Sequence, residues 1–320
     1  MKVLVLDEND LGQKVLAHYK EEDLVPYKFS KFKDGEILVE LLAPVTNEDV
    51  MLVATISDPV NDNLVKVLIC VDALRRSSAK TINLIVPYLG YSRQDRRVAP
   101  WQPITAKLMA DLLQTAGVSR VITCDLHAKQ IEGFYHIPID NIPVMMILGN
   151  RWKKKVGKDI NLQDFAVVSP DNGGVTRAKE FMNQAKIPTL IVVNKYREKA
   201  NEVAATQIIG NVENKNVIII DDMVDTGGTL LKVSSELKKL GAKDIYIYCT
   251  HGLLSGDAIE KISNSPDIKN LIVTNSIDRK SQLINDKIIY VDISDIITGI
   301  IDSFDNQQYL YNYLMSLLEE

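Results

Sequence analysis

At 320 residues the chain is long enough for two domains and a large core. Hydrophobic residues make up 46% and charged residues 25%, as in ordinary soluble globular proteins. A formal net charge of -5 and a pI near 5.5 argue against nucleic acid or an anionic membrane as the main partner, so any grip on phosphate must come from local groups. Cys70, Cys124 and Cys249 lie in apolar contexts without CxxC spacing, which reads as reduced thiols in a cytoplasmic protein. The opening MKVLVLDEND carries charge too early for a signal-peptide core, and no apolar run reaches membrane-spanning length.

Residues 3–6 read as a first strand and residues 11–19 as a helix, with Leu11, Val15, Leu16 and Tyr19 on one face. Phe32-Lys33-Asp34-Gly35-Glu36 reads by itself as a turn with solvated acids, before a strand at 37–42. A buried strand at 50–56 is followed by the loop SDPVNDN, a helix at 64–76 and a strand at 82–86. The segment PYLGYSRQDRRVAPWQP brings Arg93, Arg96 and Arg97 close together. A solvated basic loop is the plain reading, yet a long loop after a buried strand is more often functional. A helix at 104–116 leads to a strand at 121–124 that ends in Asp125-Leu126-His127. An acid and a histidine there suit a metal or a phosphate, although a lone histidine is as often structural.

Residues 144–152 read as helix, and a domain boundary falls within 142–150. The strand at 166–169 ends in Pro170-Asp171-Asn172-Gly173-Gly174 and leads into a helix carrying Arg177. After a strand at 190–193 comes NKYREKANEVAA, a basic flap with Lys195, Arg197 and Lys199. Strands near 271–274 and 288–291 and helices at 293–304 and 307–318 complete the chain.

The most informative stretch is VIIIDDMVDTGGTL, residues 217–230. Val217, Ile218, Ile219 and Ile220 read as a strand buried on both faces, as in the middle of a parallel sheet. Asp221 and Asp222 end the run, and Asp225-Thr226-Gly227-Gly228-Thr229 precedes a helix with Leu230, Val233 and Leu237 on one side. Open parallel sheets bind ligands beyond the carboxyl ends of their strands. Glycine lets backbone amides approach an anion, and a helix start adds about 0.3–1 kcal/mol. The acids suit hydroxyl groups, which donate to carboxylates. Phosphate at one end and vicinal hydroxyls at the other describe a pentose phosphate. The same order of strand, acid-rich loop, helix and strand at 50–86 points to internal duplication. The first-half loop, residues 58–63, has no glycine pair and contains Pro59, so the second half alone is expected to hold the sugar.

The central string resembles the phosphoribosyl diphosphate (PRPP) motif of type I phosphoribosyltransferases. Together with FKDGEILVE, SDPVNDNL, ALRRSSA, PYLGYSRQDRR, PITAKLMADLL, DLHAKQIEGF, VVSPDNGGVTRA and KYREKAN, it makes residues 32–256 resemble the ribose-phosphate pyrophosphokinase family. The resemblance implies an α/β fold of two tandem type I phosphoribosyltransferase-like domains, each a mostly parallel sheet flanked by helices. It implies a division at 1–145 and 146–304, with a C-terminal helix in 305–320 packed on the first domain. It implies transfer of diphosphate from ATP to the 1-hydroxyl of ribose 5-phosphate, with Mg²⁺ as cofactor, in a homo-oligomer, by family a hexamer. Phe32, Asp34, Gly35 and Glu36 would then contact adenine across a subunit interface, which overrides the plain reading of that turn. Arg93, Gln94 and Asp95 would contact ATP, and His127 and Asp171 would serve Mg²⁺, with Asp125 and Asp140 as further candidates. Lys195 and Arg197 would be catalytic, and Arg197, Asp221, Asp222, Asp225, Thr226, Gly227, Gly228 and Thr229 would hold ribose 5-phosphate.

Some positions depart from the family pattern. Tyr196, Asn194 and His136 replace the usual basic, acidic and acidic residues, and Pro44 and Thr46 replace a Ser-x-Arg pair of the phosphate-activated members. Neither can supply a guanidinium fork, so activation by inorganic phosphate is expected to be weak or absent. Two other readings share some of these motifs: a non-catalytic regulator associated with a synthetase, and a phosphoribosyltransferase that consumes PRPP. The first is disfavoured because His127, Asp171, Lys195 and Arg197 are all present, the second because it needs only one such domain.

Overall fold

The computed structural model describes residues 1–6, 9–156, 160–196, 205–279 and 286–319, with backbone alone at 195–196 and 205–206. The chain divides into two compact units. One comprises Met1–Ile142, Ser276–Asp278 and Asp292–Tyr313; the other comprises Pro143–Asn275, Arg279–Val291 and Leu314–Glu320.

The first unit starts with strand β1 (Lys2–Val5), helix α1 (Asp10–His18) and a hairpin of β2 (Tyr27–Lys31) and β3 (Ile37–Leu41). It continues through β4 (Asp49–Val53), α2 (Val60–Arg76), β5 (Thr81–Ile85), α3 (Thr105–Ala116), β6 (Arg120–Cys124) and β7 (Ile139–Ile142). The sheet order is β1-β4-β5-β6-β7, with every neighbouring pair parallel. Val50, Met51, Leu52 and Val53 are all buried, because helices cover both faces of a parallel sheet and leave no solvated side for alternation. Leu64, Val67, Val71 and Leu74 supply the apolar stripe of α2 at spacings of three and four.

Helix α2 begins at Val60, so part of what reads as a loop in SDPVNDN is its first turn. Pro59 precedes it with no N–H to satisfy, Asn63 N–H donates to Pro59 O at 3.0 Å, and Asp62 favours the positive helix end.

The second unit contains α4 (Val144–Val156), β8 (Phe165–Ser169), α5 (Val175–Ala185), β9 (Leu190–Tyr196), β10 (Ala205–Ile209) and β11 (Asn216–Val224). It continues with α6 (Gly228–Lys239), β12 (Ile245–Gly252), α7 (Ala258–Asn264), β13 (Asn270–Thr274) and β14 (Ile288–Val291). Its sheet order is β10-β9-β8-β11-β12-β13-β14, parallel throughout except for the edge pair β9–β10. Val217 to Ile220 are fully buried in β11 at the centre of this sheet.

Two more helices come last, α8 (Ser294–Asp305) and α9 (Leu310–Glu319). Helix α8 groups with the first unit. Lys14 Nζ lies 2.8 Å from Asp292, His18 Nε2 lies 3.0 Å from Asp302 Oδ2, and Tyr19 OH donates to Asp302 Oδ1 at 2.8 Å. Ile296, Ile297, Ile300 and Ile301 are buried, and their spacing marks a helix with one apolar side without saying which sheet it covers. Of the residues after α8, those up to Tyr313 group with the first unit and those from Leu314 with the second. Among the described residues no helix is long and apolar enough to cross a membrane.

Candidate active site

In the second unit the strand order reverses between β8 and β11. Chain leaving β8 goes through α5 to β9 on one side, and chain leaving β11 goes through α6 to β12 on the other. The two loops beyond these carboxyl ends therefore flank a topological switch point, where open α/β sheets bind ligands. One loop is 170–174, and the other is the Asp225 to Gly227 turn before α6.

Strand β11 extends past the apolar run to Val224, so Asp221 and Asp222 lie within it. Asp222 is 3% exposed, and its N–H donates to Asp221 Oδ1 at 2.9 Å. Arg177, from α5, places Nη1 at 3.3 Å from Asp222 Oδ1 and 3.8 Å from Asp221 Oδ1. Burial, reinforced by the neighbouring Asp222, pushes the Asp221 carboxyl well above its ordinary range, while Arg177 pulls the other way. Burial also pushes up the thiol of Cys249, which stands opposite Asp221 in β12, so it behaves as a packing residue.

The glycine pair divides its labour. Gly227 adopts φ +74°, and a Cβ there would lie 3.1 Å from Ile262 Cδ1. Gly228 opens α6, and a Cβ there would meet nothing within 4 Å. The first glycine makes the turn and the second leaves the helix start open to a ligand. Thr226 and Thr229 flank the pair, and Asp225 O accepts from Ser255 N–H at 3.1 Å.

In the other loop, Asp171 is exposed, and its Oδ1 accepts from Gly174 N–H at 2.9 Å. Ser169 Oγ donates to Asp171 O at 2.7 Å. Asn172 Nδ2 donates to Asn194 Oδ1 at 2.8 Å and so ties this loop to β9, next to Lys195. The backbone of Lys195 pairs with Thr206 across β9–β10. Arg197 and Lys199 lie outside the described residues, as does the side chain of Lys195.

The remaining candidates belong to the first unit. The β2–β3 turn is closed by Phe32 N–H to Glu36 O at 2.8 Å and by Glu36 N–H to Asp34 Oδ1 at 3.1 Å, with Gly35 at φ +100°. Phe32 is 56% exposed. In the basic loop Arg93 and Gln94 are exposed. Gln94 Oε1 accepts from Thr105 Oγ1 at 2.6 Å, and Asp95 Oδ2 from Gln130 Nε2 at 2.7 Å. At the carboxyl end of β6, Asp125 is nearly buried at φ +37° and His127 is exposed. Asp140 pairs with Arg120 Nη1 at 2.5 Å.

Among the described residues no three or more His, Cys, Asp or Glu side chains group as a ready-made metal site. Mg²⁺ takes only one or two protein carboxylates and otherwise prefers phosphate and water, so a sparse set suits it. Asp171 fits that role best. Asp140 is already engaged by Arg120, and the His127 imidazole is a softer donor, better suited to holding a bound water.

The sequence puts Arg177 on a helix without a role of its own. Its partners lie more than forty residues away, and only the β8–β11 adjacency brings them to it.

Parallel sheets flanked by helices, laid out twice, with acids and a glycine loop at one switch point, define a tandem type I phosphoribosyltransferase-like protein. A family model for the N-terminal domain of ribose phosphate pyrophosphokinase matches residues 1–117, and one for the phosphoribosyl synthetase-associated domain matches residues 166–315. The ribose-phosphate pyrophosphokinase of Bacillus caldolyticus is 44% identical over 297 residues, covering 93% of this chain and 92% of its own. That of Corynebacterium ammoniagenes is 41% identical over 297 residues, with the same coverage. The crystal structure of phosphoribosylpyrophosphate synthetase from Mycobacterium smegmatis matches with a TM-score of 0.86 at 31% identity, covering 95% of this chain and 99% of that one. The chain belongs to the ribose-phosphate pyrophosphokinase family and is an enzyme of that transferase class.

Proposed function

We propose that this enzyme transfers the β,γ-diphosphate of ATP to the 1-hydroxyl of ribose 5-phosphate, giving PRPP and AMP. The observation that carries the reading is the switch point of the second unit, where an acid pair stands beside a helix start left open by Gly228. The 5-phosphate would sit on the amides of residues 225–229, and the sugar diol would donate to Asp221 and Asp222.

The 1-hydroxyl oxygen attacks the β-phosphorus. A new O–P bond forms, the bond from the β-phosphorus to the α-bridging oxygen breaks, AMP leaves with the electron pair, and the hydroxyl proton is lost to solvent. Such a step needs positioning and cations more than covalent chemistry. Lys195 and Arg197 are proposed to close over the transferring group. Phe32, Asp34, Gly35 and Glu36 would seat the base, and Arg93, Gln94 and Asp95 the rest of ATP, with the base reached across a homo-oligomeric interface. Asp171, with His127, would serve Mg²⁺, which when bound neutralises charge on the phosphates.

The test is an AMP-release assay with ATP, Mg²⁺ and ribose 5-phosphate, run with and without the sugar. AMP formation that requires the sugar and matches PRPP mole for mole is the expected outcome. Sugar-independent AMP, or none, overturns the reading.

A further inference from the structure

The acid pair has an electrostatic problem that the motif alone does not solve. To accept hydrogen bonds from a diol, Asp221 and Asp222 must both present unprotonated oxygens. They are sequence neighbours in one strand, joined by the bond from Asp222 N–H to Asp221 Oδ1, and their side chains are 20% and 4% exposed. Two carboxylates so close and so dry disfavour double ionisation. The raised Asp221 carboxyl is the sign of that conflict.

Among the described residues, Arg177 is the cation that faces them. Its side chain is 14% exposed, it comes from the helix after β8, and one nitrogen reaches both carboxylates. A guanidinium keeps its charge in such surroundings, and its planar fork can hold oxygens in fixed directions. The other charged group that bears on Asp221 is Asp171, and it adds negative charge. Among the described residues, the offset therefore comes from Arg177.

We infer that Arg177 is a positioning residue for the sugar: it holds Asp221 and Asp222 together in the ionised, outward-accepting arrangement that a vicinal diol requires. Arg177 need not touch the substrate. The inference rests on the reading that these acids bind the sugar diol, and it adds that the pair works only with a cation beneath it. A neutral side chain at 177 would let the pair take up a proton or turn apart, and one acceptor would be lost. The effect belongs on sugar binding. ATP binding and the transfer step should be touched far less.

The experiment measures steady-state kinetics on the full chain for Arg177→Met, Arg177→Gln, Arg177→Lys and Asp222→Asn, with folding monitored by thermal melting. Arg177→Gln keeps length and polarity in case Met lowers the folded yield. The expected result is a rise in KM for ribose 5-phosphate of roughly 10- to 100-fold for Met and Gln, the scale of a lost charge-assisted hydrogen bond. The KM for ATP should stay within about 2-fold and kcat should fall much less than KM rises. Arg177→Lys should recover part of the loss, since it restores charge but not the fork. A merely structural role would lower the melting temperature and the amount of active enzyme without this split or this rescue. If Asp222→Asn raises the sugar KM while Arg177→Met and Arg177→Gln leave it at the parental value, the role of Arg177 is overturned and the sugar site stands. If Asp222→Asn also leaves KM unchanged, the sugar site itself is misplaced and the inference goes with it.

Discussion

The first unit's sheet runs β1-β4-β5-β6-β7, and the parallel part of the second runs β9-β8-β11-β12-β13-β14. Strip away β9 and the two orders correspond strand for strand. The difference lies in the chain segment after the first strand of each. In the second unit this segment goes through a helix to β9, which joins the sheet on the far side of β8 and creates a reversal. In the first unit the corresponding segment also passes through a helix, α1, but meets the far side of β1 only as a single parallel bridge of Leu24 with Val3 before it enters the separate β2–β3 hairpin, so the reversal there is one bridge and not a strand. The turn after β4 carries Pro59 at the helix start, whereas the turn after β11 carries Gly227 and Gly228. The proposed sugar-phosphate site thus depends on the full strand β9 and on the glycine-bearing turn, and we expect the first unit, with one bridge and a proline-bearing turn, not to repeat it.

That contrast can be broken or sharpened by substitution. The largest effect is expected at Lys195, the residue that β9 adds and the first unit lacks. Lys195→Ala should lower kcat by roughly 10²–10³, the usual cost of losing a donor to transition-state charge; near-normal turnover would remove it from the mechanism. Next come the glycines, whose roles should separate. Gly228→Val should leave the melting temperature nearly unchanged, since a Cβ there meets nothing, while raising the sugar KM by about 10-fold. Gly227→Val should instead cost about 1–2 kcal/mol of stability, from a left-handed φ and contact with Ile262. Equal behaviour of the two in both measurements would refute the division.

A smaller effect is expected from charge. The folded state raises the Asp221 carboxyl above its unfolded value of about 3.9, so it binds that proton more tightly than the unfolded chain does. The resulting stability is fully present below the unfolded value and is lost as pH rises through the folded one. At neutral pH the ionised group is a burden. Asp221→Asn, which can still accept from Asp222 N–H, should raise the melting temperature by about 2 °C or more at pH 7 and change it little at about pH 3.5. A lower midpoint at pH 7 would contradict the sign. The smallest effect is expected from inorganic phosphate. Thr46 Oγ1 already donates to Ser77 O, at 3.3 Å, and neither Pro44 nor Thr46 offers a guanidinium. A phosphate titration should change the initial rate by no more than about 2-fold.

The β-branched run and the glycine pair were legible because period and residue type carry them locally. Val217 to Ile220 could hardly be other than a central strand. The strand Tyr27–Lys31 was not legible, because YKFSK is short and mostly exposed and gains its identity only from pairing with β3. The strand Ile139–Ile142 was hidden for a similar reason, lying next to Pro138 and Pro143 at a sheet edge. The acids were visible in the sequence and their cation was not, since Arg177 meets them only through a parallel pairing of strands far apart in the chain. Helix α8 showed its apolar side but not its destination, which α1 supplies.

The strand that bears Lys195 is anchored unevenly. Leu190, Ile191 and Val192 pair with β8 on one side, and Val192 and its successors pair with β10 on the other, so among the described residues the strand pairing at Lys195 is with β10. Ladders two strands wide open more readily than the middle of a sheet. Amide deuteration tracked along this segment should therefore grade from slow at Ile191 to fast at Lys195, so that the sheet fixes where the lysine is attached while leaving its last rungs cheap to open.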